Sequence, residues 1–136
     1  MAVGKTFRQR VDEVRPRVRL LSVHEAKDLI DRGGVMVIDV GEAWQVQGRG
    51  TIPGARNIPR GELDIKADTE LPRRDAALQD RSQKIILTCG GGGKAILSAP
   101  VLAEMGFTDV SVIDGGCDAW KAAGFETTNT ASGNAP

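Results

Sequence analysis

What this chain lacks most plainly is charge of one sign: 18 Lys and Arg balance 18 Asp and Glu, for a formal net charge of zero. Without a basic excess there is no electrostatic case for nucleic acid or an anionic membrane as partner. Soft metal ligands are scarce too, with one histidine and two cysteines in the whole sequence, too few for a metal cluster. No metal and no cofactor is expected. The two cysteines, Cys89 and Cys117, stand far apart in an otherwise ordinary chain, which does not read as a disulfide framework. Long apolar runs are missing as well. The opening "MAVGKTFRQRVDEV" has no apolar core of signal-peptide length, and nothing approaches the ~20 residues that cross a bilayer. A cytoplasmic, reducing setting follows as the expectation.

What is present is ordinary globular material. The 136 residues suit one domain, with 40% hydrophobic and 26% charged residues. Residues 1–17 read as an N-terminal extension, helical; the basic cluster Arg8, Arg10, Arg15, Arg17 and Arg19, interrupted by Asp12 and Glu13, reads as a solvated face. Residues 18–125 form the domain, and 126–136 a small, polar, disordered tail.

Within the domain, strand-like and helix-like segments alternate. "VRLL" (18–21) leads to Ser22, whose spacing to Glu25 is that of a capping box. The helix it opens stops at Gly33 and Gly34, where a positive φ costs little. "VMVIDV" (35–40), "KIILTC" (84–89) and "DVSVID" (109–114) are apolar and β-branched enough for strands buried on both faces. "ELDIKADTELPRRDAAL" is expected to be largely helical. "AILSAPVLAEMGF" is a helix stopped at Gly106, with a kink at Pro100. "GGCDAWKAAG" closes the fold with a short helix. This alternation predicts a parallel sheet covered on both faces, with ligands beyond the carboxyl ends of its strands. Cys89, Asp39 and Asp114 all stand at such ends.

The most informative stretch is "ILTCGGGGKAIL" (86–97). A glycine run ending in lysine suggests a nucleotide phosphate loop, but the leading glycine is replaced by Thr88. The hydroxyl that would follow Lys94, and hold magnesium, is replaced by Ala95. The alternative is a nucleophile. A strand ending on Cys89, four glycines and a helix start near Lys94 make a bowl of converging N–H groups. The helix N-terminus and Lys94 add positive charge, so a thiolate there is stabilised and nucleophilic. A buried small hydrophobe is the plainer reading of Cys89. The cost of ordering four glycines argues against it. The only histidine, His24, lies in the capping box as a surface residue, so a Cys-His hydrolase is not indicated. Activation falls to the loop, which restricts the chemistry to anionic or sulfur-bearing substrates.

Taken in order, "VMVIDV", "GTIPGARNIP", "KIILTCGGGGKA", "LAEMGFTDVSVIDGG" and "AWKAAG" resemble the single-domain rhodanese-like sulfurtransferases over residues 18–125. The resemblance implies an α/β fold, a five-stranded parallel sheet flanked by helices on both faces. It also implies transfer of sulfane sulfur from a small anionic donor such as thiosulfate, through a Cys89 persulfide. The acceptor would be cyanide or a thiol, a protein thiol included; the alternative is a non-catalytic or partner-dependent sulfur-carrier module. The amides of Gly90, Gly91, Gly92, Gly93, Lys94 and Ala95 would hold donor and persulfide, with Lys94 neutralising the donor's charge. Asp39 and Glu42 would support the site by hydrogen bonding. Related phosphatases place an arginine six residues after the cysteine, where this chain has Ala95. The chain departs from the family pattern at Gly41, usually arginine, Thr51, usually histidine, and Cys117, usually phenylalanine. Cys117 either fills that phenylalanine slot or serves as a resolving thiol for Cys89.

Overall fold

The computed structural model describes residues 4–131. Helix α1 (Phe7–Val14) opens with a capping box: Thr6 Oγ1 accepts the Gln9 N–H at 3.1 Å, and Gln9 Oε1 accepts the Thr6 N–H at 2.8 Å. After it come β1 (Arg19–Leu21), α2 (Val23–Arg32), β2 (Val35–Asp39), α3 (Ala43–Arg49), β3 (Arg56–Asn57) and α4 (Leu63–Ala67). The second half comprises β4 (Lys84–Thr88), α5 (Gly93–Glu104), β5 (Val110–Ile113) and α6 (Gly116–Ala122). The strands form one five-stranded sheet in the order β1-β5-β4-β2-β3, and every pairing is parallel.

Local signals placed most of these elements. Ser22 and Glu25 form the expected box at 3.1 and 2.9 Å, and Gly33 and Gly34 end α2 with φ of 78° and 80°. Two readings differ from the structure. The stretch 62–78 is helical only in α4 and two 3-10 turns, because the Asp68 carboxylate accepts the N–H groups of Glu70 and Leu71, both at 2.7 Å. That local turn outcompetes the helix. The helix expected across Pro100 is α5, with Ala95, Ile96, Ala99 and Leu102 packed into the core on both sides of the proline. Residues 126–131, expected as disordered tail, fold back on the domain. Thr128 pairs with Thr51 through bonds of 2.7 and 2.9 Å, and the Trp120 indole N–H donates to the Glu126 carbonyl at 2.8 Å. Residues 132–136 of that expected tail lie outside the described residues.

The alternation of side chains along each strand divides the core in two. Ile38, Ile85, Leu87, Cys89 and Val112 face the layer that holds α1, α4 and α5. Val37, Ile86 and Ile113 face the other layer, with Trp120 and Cys117 of α6. The two cysteines therefore share an end of the sheet but lie on opposite faces. The Cys117 thiol is fully buried, 3.6 Å from Thr88 Oγ1 and 3.8 Å from the Asp39 carboxylate. Burial and the Asp39 charge push its pKa up, with the Thr88 hydrogen bond and Arg49 opposing. The slot-filling reading of Cys117 fits this placement and the resolving-thiol reading does not. At neutral pH, iodoacetamide is expected to label Cys89 in the folded protein and to reach Cys117 only after denaturation, as read by peptide mass spectrometry. Labelling of both at one rate, or an 89–117 disulfide under mild oxidant, would contradict this arrangement.

Candidate active site

The chain leaves β2 toward the β3 edge and leaves β4 in the opposite direction, toward β5, so the sheet has its switch point between these neighbours. A crevice opens there beyond the strand ends. Asp39 closes β2 opposite Thr88 of β4, and Cys89 is the next residue. The pairing extends one step further, with the Val40 N–H on the Thr88 carbonyl at 2.9 Å.

The loop after Cys89 is shaped by what takes its carbonyls. The Cys89 carbonyl accepts the Cys117 N–H at 2.8 Å, and that of Gly90 accepts the Asp118 N–H at 2.9 Å, both from the first turn of α6. The Gly92 carbonyl accepts the first intrahelical bond of α5, from Ile96, at 3.0 Å. With the carbonyls drawn away, the amides are left for the thiol. The Gly92 N–H reaches Cys89 Sγ at 3.1 Å. Among the described residues, the N–H groups of Gly90, Gly91, Gly93, Lys94 and Ala95 donate to no backbone or side-chain acceptor. Cys89 is only 3% exposed, so the bond from Gly92 to its thiol meets little competing water.

Each glycine of the run has its own surroundings. A Cβ on Gly90 would stand 3.4 Å from Arg49 Nε, and one on Gly93 only 2.9 Å from the Phe7 ring of α1. Gly92 has φ +97° and backs onto the amides of Gly115 and Gly116. Gly91 has nothing closer than Asp118, at 3.9 Å. The tightest contact comes from below: at Gly116 (φ +60°) a Cβ would lie 2.5 Å from the Cys89 carbonyl oxygen and 2.6 Å from that of Gly90.

Above the loop lies a cavity of about 860 Å³. Cys89, Gly90, Gly91 and Gly93 line its floor together with Lys94, whose ammonium donates to Gln45 Oε1 at 3.0 Å. One wall is α3, with Trp44, Gln45, Gly48 and Arg49. The other wall is α1, with Phe7, Arg8, Val11 and Asp12, and Arg15 directly after it. The basic segment read as a solvated face thus has two of its arginines on the site. Ala95, grouped with the substrate-binding residues from sequence, is fully buried in the core, so only its amide is available to a ligand.

Asp39 is fully buried, and its carboxylate accepts four hydrogen bonds from nitrogen and hydroxyl donors. Gly41 N–H and Arg49 Nη2 donate to Oδ1 at 2.9 Å each; Arg49 Nη1 and Thr51 Oγ1 donate to Oδ2 at 2.9 and 2.7 Å. This bidentate grip fixes the guanidinium. Burial works against the Arg49 charge, but the hydrogen bonds to Asp39 and its negative charge hold the pKa above the usual value. Glu42 is exposed at the start of α3, where its N–H donates to Gln45 Oε1 at 2.9 Å, and it does not line the cavity. Arg49 and the α1 wall were not found from sequence. The one local clue to Arg49 was Gly41, where a Cβ would fall 2.6 Å from its Nη2.

Comparison with known proteins agrees with this layout. The family model of the rhodanese-like domain matches residues 22–123. Thiosulfate sulfurtransferase GlpE of Pseudoalteromonas translucida is 29% identical over 76% of this chain and 89% of its own length. The chloroplastic thiosulfate sulfurtransferase 16 of Arabidopsis thaliana is 31% identical over 79% and 90%. Among solved structures, RPA3614 of Rhodopseudomonas palustris, a protein of unknown function described as a possible tyrosine phosphatase, superposes with a TM-score of 0.86. It is 25% identical and covers 94% of this chain and 98% of its own.

The contact beneath the loop sets a stability prediction. Gly116→Ala is expected to cost ~3 kcal/mol in urea unfolding, because carbonyls and not flexible side chains must move. Gly54→Ala, at φ +85° with open space around it, should cost about 1 kcal/mol, the left-handed backbone alone. Equal losses would mean that the loop does not rest on Gly116.

Proposed function

The chain belongs to the rhodanese-like domain family, and on that premise we propose that it is a sulfurtransferase working through a persulfide on Cys89. The donor is a small anion carrying sulfane sulfur, such as thiosulfate. The Cys89 thiolate attacks the outer sulfur, the S–S bond of thiosulfate breaks, and the electron pair leaves with sulfite. A cyanide or thiolate acceptor then attacks the terminal sulfur, producing thiocyanate or an acceptor persulfide and restoring the Cys89 thiolate.

The observation that carries this reading is the unspent row of amides around a nearly buried thiol, with the Gly92 N–H already on Sγ. A persulfide places its negative terminal sulfur one bond further into the same field of donors, where preorganised N–H groups stabilise it. Lys94, tied to Gln45 at the edge of the floor, supplies charge for the donor. Two curated relatives with the name thiosulfate sulfurtransferase support the same chemistry. A reducing, cytoplasmic setting goes with it, since both cysteines are free and Cys89 acts as a thiolate. A protein thiol as acceptor is compatible with a cavity far larger than cyanide needs.

The description of RPA3614 raises phosphoryl transfer as a second reading. The sixth position after the cysteine argues against it: Ala95 is buried, and the loop's cation is the fifth residue, Lys94. A partner-dependent carrier module is the other alternative, and the presence of both Cys89 and Lys94 favours a competent enzyme over it. Thiocyanate formation from thiosulfate and cyanide tests the proposal. Cys89→Ser is expected to fall to the uncatalysed background, and Lys94→Ala to raise the thiosulfate KM about tenfold with a smaller change in kcat. Wild-type protein no faster than Cys89→Ser would remove the enzyme, and a Lys94→Ala effect confined to kcat would reassign the lysine.

A further inference from the structure

The guanidinium of Arg49 occupies a slot for which two separate elements have given up their side chains. On one side is Gly41, after β2, where a Cβ would come within 2.6 Å of Nη2. On the other is Gly90, after Cys89, where a Cβ would stand 3.4 Å from Nε and 3.7 Å from Cδ. Neither Gly41 nor Gly90 has the positive φ that would by itself call for glycine. Room for the arginine is the steric reason the structure offers for both.

An ion pair that merely tied α3 to β2 would need only the Asp39 side of this slot. Nη1 and Nη2 serve that tie, with Nη1 also donating to the Gly50 carbonyl at 2.6 Å. Nε–H has no acceptor among the described residues, and it is the nitrogen nearest the Cys89 loop. The Arg49 side chain is 19% exposed and lines the cavity on the α3 wall, as Lys94 lines its floor. Arginine suits this position because it keeps its charge when half-buried and offers a rigid, planar array of donors.

We propose that Arg49 is the second cation of the donor site, presenting its charge and Nε–H across Gly90 to the anionic group of the incoming sulfur donor. Asp39 acts as the positioning residue that turns it there. The anion would then be gripped from two sides, by Lys94 and by Arg49, over the amides of the loop. The identity of the ligand as a sulfur donor rests on the function proposed above; the existence of an anion site at Arg49 does not.

A charge probe separates the two. Iodoacetate and iodoacetamide alkylate the same thiol and differ in charge, so their rate ratio at Cys89 reads anion recognition without any sulfur transfer. Arg49→Gln is expected to lower the iodoacetate-to-iodoacetamide ratio about tenfold, as loss of one partly screened charge would. Arg49→Lys should keep part of the ratio. Gly41→Ala, which leaves the arginine in the chain but fills its slot, should lower the ratio in the same direction. With thiosulfate, Arg49→Gln and Gly41→Ala should raise KM more than they lower kcat. If Arg49→Gln slows both reagents equally, or the ratio is unchanged in all three variants, Arg49 is only a structural tie and the proposal fails. Should Arg49→Gln not fold, as judged by circular dichroism, the Gly41→Ala and Arg49→Lys ratios decide the matter alone. A shifted ratio in protein that makes no thiocyanate would keep the anion site and overturn the sulfur-transfer reading instead.

Discussion

The site depends on where two carbonyl groups point. Those of Cys89 and Gly90 are held by the first amides of α6, and this is possible only because Gly116 carries no side chain. Peptide planes are rigid, so turning a carbonyl one way turns the amide joined to it the other way. The N–H groups of Gly90 and Gly91 are thereby turned away from α6, and the Gly92 N–H that follows them reaches Cys89 Sγ at 3.1 Å. Glycine at 90 to 93 is the consequence: the run yields space to Arg49, to the backbone at Gly115 and Gly116, and to Phe7. A run that looks like simple flexibility in the sequence is packed against a different neighbour at three of its four positions.

A second constraint runs through Asp39. It is fully buried, and such a carboxylate is tolerated only when its oxygens are satisfied. Arg49, Thr51 and the Gly41 amide do so, which joins the end of β2 to the end of α3 and to the start of the segment that pairs with Thr128. The same contacts fix one wall of the cavity. Because α1 forms the opposite wall, and residues 7–15 precede the matched family region, the shape of the cavity above Cys89 is set partly by sequence outside the shared domain.

Much of this was legible in the sequence where the cause was local. The capping box at Ser22, the stops at Gly33 and Gly34, the apolar strands and the strand-loop-helix around Cys89 each follow from a few consecutive residues. Strand β3 escaped a residue-level reading because it has only two residues, and pairing with β2 rather than its own pattern makes it a strand. Where contacts are distant, the sequence was silent or misleading. Residues 126–131 look like a tail because they are polar, yet their backbone groups find partners on Thr51 and Trp120. The arginines of α1 are exposed as expected, but nothing nearby in the chain shows that Val11 and Phe7 seat the helix beside α5 and so bring Arg8 to the cavity. Arg49 was hidden for the same reason, and the missing side chain at Gly41 was its only trace.

The central claim is that this cradle holds a sulfane sulfur on Cys89. The most direct measurement is the intact and peptide mass of the protein after brief exposure to thiosulfate under anaerobic conditions. One added sulfur on the peptide that holds Cys89, removed by cyanide with release of thiocyanate, is the predicted result. A Cys89 peptide of unchanged mass under saturating thiosulfate, in protein whose thiol still reacts with iodoacetamide, would contradict the account.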